Sequence, residues 1–371
     1  MTRPYVTMDL GKLEHNARAI VGLARSHGME VTGVTKCTCG HPGVARAMLR
    51  GGVTAIGESR IENIQRLKAA GVRAAYWLLR IPPISEVEAV VAAVDVSLNS
   101  ELPVLERLSA AALRRGHPHD VILMVDLGDL REGIWPDELL PFARAAARLP
   151  GIRIIGVGTN LTCFGGVAPS EDNMGRLVAH AREVEAIAGA RLSWISGANS
   201  SGLELIASGR MPSAINHARI GEAILLGRET LHRRPWPGTH QDAFLLHAEV
   251  LELKKKPSLP VGERAEDAFG HVPEFEDHGA VDRAVLNVGR EDVEVEGIAP
   301  VDPRLKVLGA SSDYLIVDVT GGAGTVRVGD EIAFSLNYAA LLAVMTSQYV
   351  EKRCLKANAG TRTMARAQGQ P

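Results

Sequence analysis

From Leu10 to Ile220, short β-branched runs alternate with longer stretches rich in Ala, Leu and Arg. The short runs fit buried strands and the longer ones fit helices that cover them, so the alternation predicts repeated βα units. Candidate strands are residues 31–36, 55–57, 76–80, 94–97, 121–126, 152–159, 192–196 and 214–220. Eight parallel strands are the number that closes a barrel, and about 250 residues is the usual size of one. Past this region the pattern changes. Residues 231–241 carry Pro235 and Pro237 beside Arg233 and Arg234, which breaks the alternation and reads as a linker. Residues 244–253, 283–288, 306–308, 314–319 and 331–335 are short β-branched or alternating runs separated by turns such as Gly321-Gly322 and Gly329-Asp330. A helix is expected from Tyr338 to about Val350.

The expected fold class is therefore α/β: a (β/α)8 TIM-type barrel over residues 10–230, followed by a C-terminal mainly-β domain over residues 241–352 that residues 1–9 are free to join. Residues 356–371 are polar, with little to bury, and are expected to be a disordered tail.

Composition narrows the function. The 371 residues are 46% hydrophobic and 23% charged, an ordinary globular balance, and the formal net charge of −2 offers no basic field for nucleic acid. The start of the chain has no apolar core of a signal peptide, and Glu88 and Asp95 interrupt the most apolar run, so neither export nor a membrane span is expected. Four cysteines in a chain this long make no disulfide framework and suit the cytoplasm.

In barrels of this type chemistry collects at the carboxyl ends of strands, where this chain places Lys36, Asp126, Thr159-Asn160, Ser196 to Ser201 and Arg219. Lys36 ends the run Val31-Thr32-Gly33-Val34-Thr35. Burial there disfavours the ammonium form and would make a nucleophilic amine, as a Schiff base with an aldehyde cofactor requires. The alternative is a lysine that carries the chain into water. Asn199-Ser200-Ser201-Gly202 follows a strand and opens a helical stretch, suiting either a phosphate or a plain serine cap. Arg219-Ile220-Gly221-Glu222 offers a planar donor and a glycine that lets backbone approach a ligand, although an arginine there can also be structural. Cys163, in a glycine-bearing loop after a barrel strand, is either a proton carrier or a small buried residue. Cys37, Cys39 and His41 lack the paired spacing and fourth ligand of a zinc site, so no metal is expected.

A lysine at the first strand, an Ala-Asn-Ser turn, Arg-Ile-Gly at the last strand and a β domain behind the barrel together resemble the alanine racemase superfamily of pyridoxal phosphate enzymes. The likeness spans nearly the whole chain. Val34-Thr35-Lys36-Cys37, Ile56-Gly57-Glu58-Ser59-Arg60-Ile61-Glu62-Asn63-Ile64, Phe275-Glu276-Asp277-His278-Gly279 and Leu336-Asn337-Tyr338-Ala339-Ala340-Leu341-Leu342 resemble its ornithine racemase branch more closely.

The resemblance implies pyridoxal 5'-phosphate as cofactor, Lys36 as the internal aldimine lysine and a base at Cα, and Arg219 as the partner of the pyridine nitrogen. It implies that Ser200, the backbone at Gly221 and Glu222, and Tyr338 hold the phosphate, that Asn199 is among the cofactor-binding residues, that Arg131 lies near the ring hydroxyl, and that the enzyme is a head-to-tail homodimer. Two positions depart from the family pattern. Where alanine racemases carry a second catalytic tyrosine, this chain reads Gly289-Arg290-Glu291-Asp292, and where they often carbamylate a lysine it has Met124. Cys163, Asp292 and Asp313 are the candidates for the second acid-base group, and Glu291, Asp292 and Asp313 would suit a cationic substrate tail. The expected activity is racemisation of ornithine or a similar basic amino acid. The alternatives are alanine racemisation, a lyase or decarboxylase on the same fold, a non-catalytic cofactor-binding homeostasis protein and a metal-dependent hydrolase.

Overall fold

The computed structural model describes residues 3–355, so the expected disordered tail at 356–371 lies outside the described residues. Eight strands, β2 (Glu30–Val34), β3 (Ala55–Glu58), β4 (Ala75–Leu78), β5 (Val96–Asn99), β6 (His119–Met124), β7 (Ile152–Gly158), β8 (Trp194–Ala198) and β9 (His217–Ile220), follow β1 (Tyr5–Asp9). β2 to β9 pair in sequence order, all parallel, and β9 closes onto β2. The expected barrel is present. Its inside is filled by alternate strand residues, Ala55, Trp77, Val96, Leu98, Ile122 and Met124, while a larger apolar layer packs the outer faces of the strands against the helices.

The remaining strands are β10 (Phe244–Pro257), β11 (Ala280–Leu286), β12 (Ile298–Pro300), β13 (Lys306–Ala310), β14 (Leu315–Asp318), β15 (Glu331–Leu336) and β16 (Glu351–Leu355). Their sheet runs β12-β15-β10-β11-β14-β13, with β10 long enough to pair β15 through its first half and β11 through its second. β1 lies antiparallel to β10 and parallel to β16, so the first strand of the chain belongs to this sheet and not to the barrel. The carboxylate of Asp9 then caps the first helix, Leu10–Ser26, by accepting from the amides of Gly11 and Lys12.

Strand positions match the sequence expectation to within a few residues, with one consequence for the site. β2 stops at Val34, and Lys36 opens a short 3-10 turn, Lys36–Thr38, which the left-handed Cys39 (φ 51°) terminates. The expected final helix ends at Thr346, after which the chain returns to the sheet as β16. No helix among the described residues is long and apolar enough to cross a membrane.

Candidate functional site

A cavity of about 590 Å³ opens at the carboxyl end of the barrel. It is lined by Lys36, Arg131, Cys163, Asn199, Ser200, Arg219, Gly221, Glu222 and Tyr338, nine of the eleven site residues expected from sequence. Asp292 and Asp313 are not among them. They line a separate cavity of about 300 Å³ on the β domain, where buried Asp292 accepts a hydrogen bond from Ser347 Oγ at 2.6 Å and Asp313 from the hydroxyls of Ser311 and Ser312. Glu291 lies there too, so within one chain none of these three acids faces Lys36. Glu291 and Asp292 follow β11 and Asp313 lies between β13 and β14, whereas the barrel mouth is built from residues at the ends of barrel strands together with Tyr338, which follows β15.

Arg219 is the most constrained charge in the cavity. It sits on β9, buried, and donates from Nη1 to the carbonyl and hydroxyl oxygens of Ser196 and from Nη2 to Thr159 O at 2.5 Å. Burial pulls its guanidinium down to about 10, with Glu132 opposing that from a distance, so it remains charged at neutral pH. Three of its five N–H bonds are committed, leaving the Nε–H and one Nη2–H without a protein acceptor among the described residues.

Asn199 and Ser200 line the cavity just after β8, the strand that pairs with β9. Asn199 caps the 3-10 turn Ser200–Gly202, accepting from Ser201 N at 2.8 Å and Ser201 Oγ at 2.6 Å, and its amide donates to Leu161 O. Ser200 Oγ accepts from the amide of Ala223 at 3.1 Å, which ties this turn to the helix Glu222–Leu226. A Cβ at Gly221 would stand 3.1 Å from Val34 Cβ and 3.2 Å from Val34 O, so a side chain there would crowd the strand that leads to Lys36. Tyr338 opens the helix Tyr338–Thr346 and is half-buried, and its carbonyl receives the thiol of Cys37 at 3.8 Å. Burial pushes both the Tyr338 phenol and the Cys37 thiol up, so neither ionises at neutral pH.

The loop that carries Cys163 is gathered by one carboxylate. Asp129, which is 1% exposed, accepts from the amides of Thr162, Cys163, Phe164 and Val167 at 2.9–3.1 Å. Burial pushes its carboxyl up, but these four donors outweigh that and hold it below the ordinary value. Leu130 (φ 56°) and Thr162 (φ 61°) adopt left-handed backbone in the two loops joined this way. Sequence inspection passed over this role of Asp129, and also over Glu132, Tyr314 and Tyr349. Glu132 lines the main cavity in an ion pair with Arg131, while the two tyrosines are exposed in the smaller cavity. An Asp directly after Gly128 was a readable loop-cap signal.

Pyridoxal phosphate fits these residues. An amine, Lys36, faces the cavity from one side, and from β9 a buried guanidinium offers unspent donors to a weakly basic ring nitrogen. The buried amide nitrogen of Asn160 in the same wall has no acceptor in the protein. The volume is in the range of cofactor sites. Cys37, Cys39 and His41 do other work: the first two thiols donate to the carbonyls of Tyr338 and Met345, and the His41 ring caps the helix Pro42–Arg50.

Residues 8–229 match the family model for the N-terminal domain of alanine racemase. The chain is 42% identical over 353 residues to an ornithine racemase from Acetoanaerobium sticklandii, covering 95% of this chain and 99% of that one. It is 38% identical over 352 residues to a lysine racemase from Thermotoga maritima, covering 95% and 98%. Its fold is similar to that of alanine racemase from Bartonella henselae with covalently bound pyridoxal phosphate, with a TM-score of 0.73, 18% identity and coverage of 96% and 100%. On this barrel, this cavity and these full-length likenesses, the chain belongs to the alanine racemase family and is a pyridoxal phosphate-dependent amino-acid racemase.

Proposed function

We propose that this protein racemises ornithine and similar basic amino acids, with Lys36 and Cys163 as the acid-base pair. The observation that carries this reading is that Lys36, Cys163 and Arg219 converge on one cavity at the barrel mouth, in a chain that matches racemases of ornithine and of lysine along nearly its full length. Glu132 and Glu222 line the same cavity, each paired with an arginine, Arg131 and Arg233. These carboxylates suit a side-chain ammonium, a role that Glu291, Asp292 and Asp313 of the same chain are not placed to fill.

Bound pyridoxal phosphate supplies the electron sink that makes the Cα proton acidic. The amine of Lys36 would hold the aldehyde carbon at rest and, when free, would take or return the Cα proton on one face. Ser200, with Asn199 and the Gly221-Glu222 backbone, would seat the phosphate together with Tyr338. Arg219 would orient the ring by donating to its nitrogen, with Arg131 toward the ring hydroxyl. Racemisation needs a proton donor on the face opposite Lys36. Of the three candidates, Cys163 shares the cavity within one chain, while Asp292 and Asp313 would require a second copy packed head to tail. We further propose that the enzyme works as that homodimer, in the cytoplasm, where four unpaired cysteines are stable.

The test is incubation of the cofactor-loaded protein in heavy water with L-ornithine, L-lysine, L-arginine, L-alanine and L-serine, following Cα hydrogen loss and optical rotation. Exchange with loss of rotation is expected for ornithine and lysine. Loss for alanine alone would replace the substrate assignment, and no exchange with bound cofactor would favour a lyase or a binding protein.

A further inference from the structure

Behind Arg219, away from the cavity, lies a line of buried polar side chains that the chemistry above does not use. His217 stands two residues earlier on β9 and is 1% exposed, stacked on Trp77 at 4.3 Å and tilted against Trp194 at 5.1 Å. One ring nitrogen, Nδ1, is 2.7 Å from Ser196 Oγ, and the other, Nε2, is 2.9 Å from Thr32 Oγ1. Ser196 and Thr32 are fully buried. Ser196 Oγ also accepts from Arg219 Nη1, so the guanidinium, the hydroxyl, the imidazole and the second hydroxyl form one continuous chain across β9, β8 and β2.

The direction of the chain follows from the cation at its end. A hydroxyl that accepts from a guanidinium becomes a stronger donor, and its own hydrogen is best aimed away from that charge. The acceptor 2.7 Å away is His217 Nδ1. His217 must then be neutral with its proton on Nε2, donating to Thr32. The groups facing the ring from neighbouring strands are the uncharged Trp77, Trp194, Ser196 and Thr32, and the charged group it feels is Arg219. Burial, reinforced by Arg219, drives the imidazole well below its ordinary value, so it stays neutral throughout the working range.

We propose that Ser196, His217 and Thr32 form a positioning relay that fixes the Arg219 guanidinium in its plane, so that its two uncommitted N–H bonds remain aimed at the cavity. These are positioning residues, since none of the three lines the cavity. The arrangement replaces a carboxylate partner with neutral dipoles. A carboxylate beside Arg219 would neutralise the charge and compete for the donors that face the ring, whereas Ser196 and His217 hold the guanidinium while leaving its charge intact. This inference rests on the reading of the cavity as the cofactor site.

The test uses the cofactor-loaded enzyme labelled with 15N-histidine, and two-bond 1H–15N correlation spectra recorded from about pH 5.5 to about pH 9. The His217 signals, assigned by their loss in His217→Gln, are expected to show the neutral Nε2–H tautomer at every pH. In Ser196→Ala the Nδ1 resonance is expected to move toward that of an unbonded acceptor, the absorption maximum of the bound cofactor to shift, and kcat to fall about tenfold with KM changed less than about twofold. An Nδ1–H tautomer, a titrating His217, or a Ser196→Ala enzyme with wild-type kcat and spectrum would each overturn the relay. Should Ser196→Ala fail to fold, the wild-type tautomer alone decides. Absence of cofactor binding or racemisation in the wild type would defeat the site reading instead, which the tautomer pattern registers separately.

Discussion

The hydroxyl of Thr35 donates to the carboxylate of Glu58 at 2.7 Å, one residue before Lys36. Glu58 ends β3, is fully buried, and also accepts from Asn63 Nδ2 at 3.0 Å and Ser59 N at 3.1 Å. A single carboxyl therefore joins the end of β2 to the helix Ile61–Ala69 and fixes the place from which the lysine leaves the strand.

Burial raises the Glu58 pKa above its ordinary 4.5, against the three hydrogen bonds that lower it. Between 4.5 and the raised value the folded protein holds more protons than the unfolded chain, so this group makes stability fall as pH rises through that window. Glu58→Gln cannot accept all three donors and should unfold more easily by about 1–3 kcal/mol. Its deficit relative to wild type should shrink as pH rises through the window. Parallel thermal melts of the two proteins across mildly acidic to neutral pH check both statements.

Asp129 has the opposite sign. Its depressed carboxyl contributes stability that is present above the ordinary 3.8 and is lost as pH falls through the folded value. Asp129→Ala leaves four amides of residues 162–167 without their acceptor, and hydrogen exchange there should rise by at least about tenfold while β6 and β7 keep their protection. Unchanged exchange in this loop would show that the carboxylate does not hold it.

Lys36→Ala should remove both racemisation and the visible absorption of lysine-linked cofactor. Turnover retained without an added amine would reject Lys36 as the attachment point.

Arg219→Glu places an acceptor where a donor faces the cavity and should protonate the ring nitrogen. Racemisation is expected to fall about a hundredfold or more, with keto acid accumulating as a by-product. A variant that racemises cleanly would place Arg219 away from the ring.

Cys163→Ala should stop interconversion while Cα exchange of one enantiomer in heavy water continues, because Lys36 still serves its own face. Equal loss of exchange for both enantiomers would remove Cys163 from the pair.

Much of this was legible from residue order. Parallel strands buried on both faces read as β-branched runs, and polar residues at their carboxyl ends had few structural reasons to be there, so Lys36, Ser200 and Arg219 stood out along the chain. Asp292 and Asp313 were harder, because the part of the chain after β11 supplies residues to both cavities, Tyr338 to one and these acids to the other, and residue order alone does not separate them. Glu58, Asp129 and His217 were hidden for another reason. Each has a partner distant in sequence, Thr35 for Glu58, the amides of residues 162–167 for Asp129 and Thr32 for His217, and one residue taken alone does not name such a partner. β1 and β16 were passed over as well: each is five residues long and pairs with a strand far away in sequence, β1 with β10 and β16 with β1.

The placement of β1 bears on the order of events during synthesis. The barrel is assembled from residues 30–220 and can close while the rest of the chain is still on the ribosome. β1, made first, finds its partners only in β10 and β16, the latter ending at residue 355. Until those residues emerge, the newborn chain carries an unpaired strand joined directly to the Leu10–Ser26 helix, a free edge that neighbouring chains could pair with. Completion of this sheet thus waits on translation through residue 355.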